Sequence, residues 1–305
     1  MSGSNRSWFH KHPMVVFLIL SNGITWVCWI PAIIIGTRQG YILPTINTYA
    51  TIIQTGFVNS QHLFVSIAFF LGVYGPLIGA LVATWLAEGK EGLFELWGRI
   101  IRWRVGARWY IIILMIAFLL PAIPVGIAAL TGLSELTLGS VIGFPYAIFL
   151  FLAQILTSGL GEEPGWRGFL LPRLQAKFEG QKYIWVLGFI WAFWHYPFTV
   201  YQTISMMQDV TPIQIALTLV IALAGNTISL IAMTFIYVWV YSNTRSVFLV
   251  ILLHALGNLF NFTIVSLLAE QQFVAQFLGF MPWVLVFILQ RVLGKERFPV
   301  QVVNT

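Results

Sequence analysis

Residues 158–175, SGLGEEPGWRGFLLPRLQ, place two adjacent carboxylates and an arginine inside an otherwise apolar run. Only 9% of the 305 residues are charged, and 59% are hydrophobic. Because ionisable side chains at membrane depth are costly, Glu162, Glu163 and Arg167 mark a candidate functional site. In a helix, Glu163 and Arg167 lie four residues apart on one face and can pair, while Glu162 points elsewhere. The spacing predicts one carboxylate held by the arginine and one free for chemistry.

The composition is that of a polytopic membrane protein, with a mean hydropathy of +0.86. Apolar runs predict an all-α fold of about eight membrane-spanning helices around a polar cavity, since about 20 residues cross a bilayer. The predicted spans are 14–36, 62–87, 109–130, 140–171, 183–204, 212–241, 246–268 and 273–293. The fourth is too long for one perpendicular crossing, so it tilts or breaks near Pro164. Cys28 is the only cysteine, which excludes an internal disulfide and a cysteine-based metal cluster.

The net charge of +6 is explained by membrane topology, not by nucleic-acid binding. Of the 16 Lys and Arg residues, 15 fall on one side of the predicted spans, and Arg38 falls on the other. The positive-inside rule then places both termini in the cytoplasm, together with the Glu162 end of the fourth span. The predicted parts are a cytoplasmic tail (1–13), a three-helix part (14–139), a five-helix core with the two carboxylates (140–293) and a cytoplasmic tail (294–305). Within the second part, residues 88–108 predict an amphipathic surface helix, with a solvated basic loop as the alternative.

Polar side chains also occur in two later spans. His195 lies in WAFWHYPF, and His254 and Asn258 lie four residues apart in LLHALGNLFN, on one helix face. Two imidazoles, a free carboxylate and a carboxamide can activate water and stabilise an oxyanion. An ionised Glu162 would need hydrogen-bond donors, and His195 is the candidate donor. The alternatives are packing roles for the histidines and Asn258, and an Arg167 that reaches the headgroups.

Three motifs, GEEPGWRGFLLPRLQ, WAFWH and HALGN, follow one another on successive spans. In this order they resemble the motifs of the CPBP family, which joins CAAX-processing endopeptidases of the Rce1 type to bacterial homologues. Some of those homologues are linked to bacteriocin processing or self-immunity. The likeness covers roughly residues 140–265. This chain has Trp191 where the family's second motif usually carries Phe.

The resemblance implies peptide-bond hydrolysis inside the membrane or at its cytoplasmic face. Glu162 would activate the water with help from His195, and His254 with Asn258 would hold the oxyanion. The substrate would be a membrane-anchored or lipidated polypeptide, and the location a bacterial cell membrane.

By the same resemblance, Glu163 and Arg167 would support Glu162. The family has been described both as metalloproteases and as metal-free glutamate proteases. We expect no cofactor, because Asn258 suits an oxyanion donor better than a zinc ligand. The alternative is a Zn²⁺ ion bound by Glu162, His195 and His254.

Two other classes of function remain open at this point. A non-catalytic membrane protein of the bacteriocin-immunity type would keep the fold and tolerate loss of the motif residues. A proton-coupled transporter also uses intramembrane Glu, His and Arg, but it predicts repeated halves, and the two halves of this chain show no self-similarity.

Overall fold

The computed structural model describes residues 8–137, 143–207, 210–269 and 279–294. Over these ranges the protein is helical, and its β-type pairing is limited to an isolated bridge between Leu136 and Leu268. This confirms the predicted all-α class. The helices are α1 (Trp8–Lys11), α2 (Pro13–Gln39), α3 (Tyr49–Thr55), α4 (Ser60–Gly72), α5 (Gly75–Ile100), α6 (Ala107–Leu130), α7 (Phe144–Lys177), α8 (Lys182–Ser205), α9 (Pro212–Thr244), α10 (Val247–Val265) and α11 (Met281–Leu293).

Several helices of the described ranges are long and apolar enough to cross a membrane. Five meet this test alone, namely α2, α6, α7, α9 and α10, and the bent pair α4–α5 meets it as a sixth. The protein is therefore a multi-pass membrane protein, while the predicted count of eight spans stays a prediction. The other two predicted spans correspond to α8 and α11. The 13 described residues of α11 extend about 20 Å, less than the roughly 30 Å of a hydrocarbon core.

The second predicted span is bent, and the helix that follows it is kinked. α4 and α5 meet at an angle of 50°. Pro76 lies in the first turn of α5, where its missing N–H would have no helical partner. Further along α5, Gly89 adopts φ 66° and ψ −151°, a conformation that favours glycine. Residues 90–100 continue as a helix beyond this kink, within the segment predicted to lie at the membrane surface.

The helix that carries both carboxylates does not break at Pro164. It runs continuously through α7 but contains two π-helical stretches, Ile155–Gly159 and Pro164–Leu170. Between them is a single α-helical turn, Leu160–Glu163. Proline lacks the N–H that would bond to the carbonyl four residues earlier, and a π-helical turn accommodates that loss. The wider turns set the directions in which the two carboxylates point.

Glycines allow α7 to pack closely between α5 and α10. A Cβ atom at Gly161 would lie 2.9 Å from the carbonyl oxygen of Val73, and one at Gly165 would lie 2.6 Å from that of Pro76. On the opposite side, a Cβ at Gly159 would lie 2.8 Å from a methyl group of Ile251 in α10. Such small-residue contacts are typical of membrane helices in close approach. They fix α7 at the centre of the bundle.

Candidate active site

A cavity of about 350 Å³ lies between α7, α8, α9 and α10, and the connection from α2 to α3 forms its rim. Glu162, His195, His254 and Asn258 all line it. Three different helices contribute these four side chains. The structure thus brings the predicted catalytic residues to one enclosed space.

Glu162 is 3% exposed and receives a hydrogen bond from an indole, not from a histidine. Its Oε2 accepts from Trp191 Nε1 at 2.7 Å. The predicted donor, His195, has its Nε2 4.0 Å from the same oxygen, which is too far for a direct hydrogen bond. A water molecule next to both groups could contact the carboxylate and the imidazole together.

The orientation of His195 is fixed by its own helix. Its Nδ1 lies 2.9 Å from the carbonyl oxygen of Trp191, one turn earlier. A carbonyl can only accept, so Nδ1 carries the proton and Nε2 faces Glu162. The next residue, Trp194, donates from its indole to Thr25 Oγ1 at 2.8 Å and so anchors α8 to α2.

Glu163 binds two partners and is fully buried. Arg167 Nη1 lies 3.1 Å from each of its carboxylate oxygens, which is the pair that the four-residue spacing predicts. His254 Nδ1 lies 2.7 Å from Oε1 and donates to it. The sequence did not predict this second contact. Glu163 therefore orients His254 as well as pairing with Arg167.

Arg167 is held inside the protein and does not extend to the headgroups. It has no exposed surface, and its guanidinium lies 4.3 Å from the centre of the Trp191 ring and 4.7 Å from that of Tyr237. These distances are typical of cation–π contacts. Its Nε and Nη2 have no hydrogen-bond partner among the described residues. Besides the Glu163 carboxylate, these two aromatic rings contact the guanidinium.

Asn258 is oriented by residues of α7. Its Nδ2 donates to Gln154 Oε1 at 2.8 Å, and Ser158 Oγ donates to the same oxygen at 3.1 Å. Gln154 is 3% exposed and lines the cavity. A carboxamide nitrogen carries two hydrogens, so one N–H of Asn258 stays available to the cavity.

Trp191, Gln154 and Tyr237 are site residues that sequence reasoning missed. Trp191 lies one turn before His195, so helical spacing alone could have placed it against the same neighbours. Gln154 is a polar residue in the apolar run FLFLAQIL, which is a signal of the same kind as Glu162. Tyr237 stands among other aromatic residues in IYVWVY, where no sequence signal distinguishes it.

The cavity rim lies in the connection that follows α2. His62 supports this connection, because its Nε2 lies 2.8 Å from the carbonyl oxygen of Ile42 and its Nδ1 accepts from the Val58 N–H at 3.1 Å. Burial raises the pKa of Tyr49 to about 12, so its hydroxyl is protonated at neutral pH. The rim residues are Pro44, Thr45, Ile46, Asn47 and Tyr49.

The side chains do not form a ready zinc site. Among the described residues, no group of three or more His, Cys, Asp and Glu side chains is arranged to hold a metal ion. Glu162 Oε2 and His195 Nε2 are 4.0 Å apart, somewhat more than two ligands about 2.1 Å from one tetrahedral ion would be. His254 directs Nδ1 to Glu163. His254 keeps Nε2 free for a ligand, so a zinc ion bound by Glu162, His195 and His254 would require Glu162 and His195 to move closer together.

The matched family region coincides with the part of the chain that builds the site. Residues 144–260 match the family described as Rce1-like type II CAAX prenyl endopeptidases. No curated protein matches the chain. The matched region begins at the start of α7 and reaches into α10, so it includes all six predicted site residues. Over these residues the chain is similar to the Rce1-like type II CAAX prenyl endopeptidases, a family of membrane proteases.

Proposed function

We propose that the protein is an intramembrane endopeptidase in which Glu162 activates water for attack on a peptide bond. The observation that carries this proposal is the difference between two adjacent carboxylates. Glu163 is occupied by Arg167 and His254, whereas Glu162 borders the cavity, 4.0 Å from His195. Of the two, Glu162 is the one positioned to take a proton from a cavity water.

The proposed reaction uses the groups on both sides of the cavity. Glu162 takes a proton as the water oxygen attacks the carbonyl carbon, and the negative charge that develops on the carbonyl oxygen is stabilised by N–H donors. The amide of Asn258 is one donor. His254 is a second donor, through Nε2, when both its ring nitrogens carry protons. The proton held by Glu162 then passes to the departing amine as the C–N bond breaks.

The proposed substrate is a membrane-anchored or lipidated polypeptide. The cavity lies within a bundle of membrane-spanning helices, so a polypeptide that is itself held at the membrane has the shortest path to it. We further propose a bacterial cell membrane with both termini in the cytoplasm. The observation that supports this orientation is the distribution of Lys and Arg, of which Arg38 alone falls on the opposite side, while Arg167 is buried within the bundle.

The test is hydrolysis of an N-terminally palmitoylated peptide library by the purified protein, with products identified by mass spectrometry. We expect Glu162→Gln to reduce turnover by about 10²–10⁴-fold, because it removes the base and keeps the volume. Glu179→Gln is the matched control, since Glu179 is exposed in the connection after α7. Undiminished hydrolysis by Glu162→Gln would contradict the mechanism. A folded native protein that cleaves nothing would favour the non-catalytic alternative.

A further inference from the structure

We infer that the substrate enters the cavity from the membrane face opposite the basic connections, so that the enzyme acts on polypeptides presented at the extracytoplasmic side. The inference rests on the proposed function and adds the side of access. Sequence reasoning had placed the reaction within the membrane or at its cytoplasmic face.

The basic connections meet at one end of the bundle, which we call the basic end. Glu88 of α5 forms an ion pair with Arg173 near the end of α7. Ser246, between α9 and α10, donates to the carbonyl oxygen of Arg102 at 2.5 Å. The connections after α5, α7 and α9 therefore lie side by side. Together with the helix ends beside them, at 90–108, 173–182 and Arg245, they carry nine of the 16 Lys and Arg residues of the chain.

Packed side chains separate the catalytic groups from the basic end. Every residue of α7 from Pro164 to Leu171 is buried. On the facing helix, Val247, Leu249 and Val250 are buried as well. The distance along α7 from Glu162 to Arg173 is eleven residues, or about 16 Å of helix. A substrate has no open route through this layer.

The cavity extends in the other direction along each helix that lines it. α8 begins at the basic end, and beyond His195 its lining residues are Phe198 and Gln202. α10 also begins at the basic end, and beyond His254 its lining continues through Asn258 to Phe262. The mouth of the cavity is thus at the end away from the basic connections.

The direction of α2 agrees with this placement. Near its start, Phe17 packs on Phe169, in the buried layer towards the basic end. Twelve residues later, Trp29 packs on Phe198, in the cavity wall. α2 therefore runs from the basic end to the mouth, and the connection that follows it supplies the rim.

The positive-inside rule assigns the basic end to the cytoplasm. Arg38 is the one Lys or Arg of the predicted connections on the mouth side. The mouth then faces the extracytoplasmic side. Its polar lining is uncharged, with Thr45, Asn47, Gln202 and Asn261. This lining suits an uncharged polypeptide segment whose backbone can hydrogen-bond to hydroxyl and amide groups.

The experiment uses single-cysteine variants of the full chain. Cys28→Ser removes the only cysteine, and Asn47→Cys or Glu179→Cys then adds one at the exposed rim or at the basic end. A bulky, membrane-impermeant maleimide is applied to intact cells, and hydrolysis of palmitoylated peptides is measured after purification. Thr45→Cys provides a second rim position if Asn47→Cys does not accumulate.

We expect the rim variant to react in intact cells and to lose at least tenfold in hydrolysis once modified. The Glu179→Cys variant should react only after lysis and keep its activity within twofold. Blocked hydrolysis by modification at position 179, an insensitive rim variant, or rim labelling only after lysis would each overturn the inference. Full activity of Glu162→Gln would instead refute the proposed function and leave the labelling result intact, so the two failures are distinguishable.

Discussion

Trp191 contacts three other residues of the site. Its indole donates to Glu162, its carbonyl oxygen accepts from His195, and its ring contacts the Arg167 guanidinium. A phenylalanine could make the ring contact but has no N–H to donate. The residue that differs from the usual family motif therefore contributes a hydrogen bond to the proposed base.

Trp191→Phe tests that hydrogen bond. We expect kcat to fall about 10–100-fold with little change in KM, because a hydrogen bond to a charged group contributes about 1.5–3 kcal/mol. Steady-state kinetics on a cleaved palmitoylated peptide give both constants. Trp194→Phe is the control, since it removes an indole bond to Thr25 instead and should reduce stability more than kcat. An unchanged kcat for Trp191→Phe would show that the indole N–H has no part in turnover.

Arg167→Met tests the buried ion pair. We expect the free energy of unfolding to fall by on the order of 3–5 kcal/mol, because Glu163 would lose its paired charge inside the protein. Thermal unfolding in detergent measures the change. Glu95→Gln is the control, because it breaks a partly exposed pair with Arg99 that contributes about 0–1 kcal/mol and leaves the hydrogen bond from Arg99 to the Gly168 carbonyl in place. A stable Arg167→Met protein that lacks only activity would assign Arg167 a direct role in catalysis.

Side-chain contacts within one helix could be predicted, and contacts between helices could not. The Glu163–Arg167 pair follows from four-residue spacing. The contact of His254 with Glu163 spans 91 residues, and that of Asn258 with Gln154 spans 104. These contacts depend on the rotation of α10 about its own axis relative to α7. Hydropathy and spacing do not determine that rotation.

At the scale of elements, close backbone packing determines where the carboxylates lie. We expect Gly165→Ala to reduce stability by about 1–3 kcal/mol and to reduce activity, since the new Cβ would lie 2.6 Å from the Pro76 carbonyl oxygen. Unfolding and peptide hydrolysis are measured on the same preparation. Gly126→Ala in α6 is the matched control, because a Cβ there has no neighbour within 4 Å. Equal behaviour of the two variants would show that the seam between α5 and α7 tolerates displacement.

Helix positions were predicted better than helix shapes. The first predicted span, 14–36, lies within α2, and the third, 109–130, lies within α6. The short α3 falls between the first two predicted spans, and the π-helical stretches of α7 were not predicted. Apolar runs reveal where a chain can enter the bilayer. The formation of a π-helical turn instead depends on how the neighbouring helices pack around it.

At the scale of the whole molecule, α8 shows why a span count from composition is incomplete. This helix carries His195 and lines the cavity, yet it is not among the described helices that are apolar enough to count as spans. Polar residues that serve the cavity lower its hydropathy. Such a count can therefore miss a helix that builds a polar site, although α7 and α10, which carry the other site residues, are counted.

Metal dependence is also a property of the whole bundle, since a zinc site would combine ligands from α7, α8 and α10. We expect hydrolysis to persist after exhaustive chelation, and elemental analysis of the active protein to find zinc well below one equivalent. This follows from the separation of Glu162 and His195, which would have to move closer together to bind one ion. Stoichiometric zinc, with activity lost on removal and regained on its return, would make these three residues ligands.

The π-helical stretches of α7 make the site sensitive to the number of residues in that helix. In each stretch the backbone hydrogen bonds join residues five apart, whereas those of an α-helix join residues four apart. Deleting one residue from Ile155–Gly159 would allow an ordinary α-helix to form with Gln154 and Glu162 turned only slightly relative to each other, whereas deleting two residues would rotate them by about 100°. The shortened helix would be as apolar as before and could still insert into a bilayer. A two-residue deletion in this segment would therefore give a protein that reaches the membrane intact but carries a disassembled site, whereas a single-residue deletion would leave the site assembled.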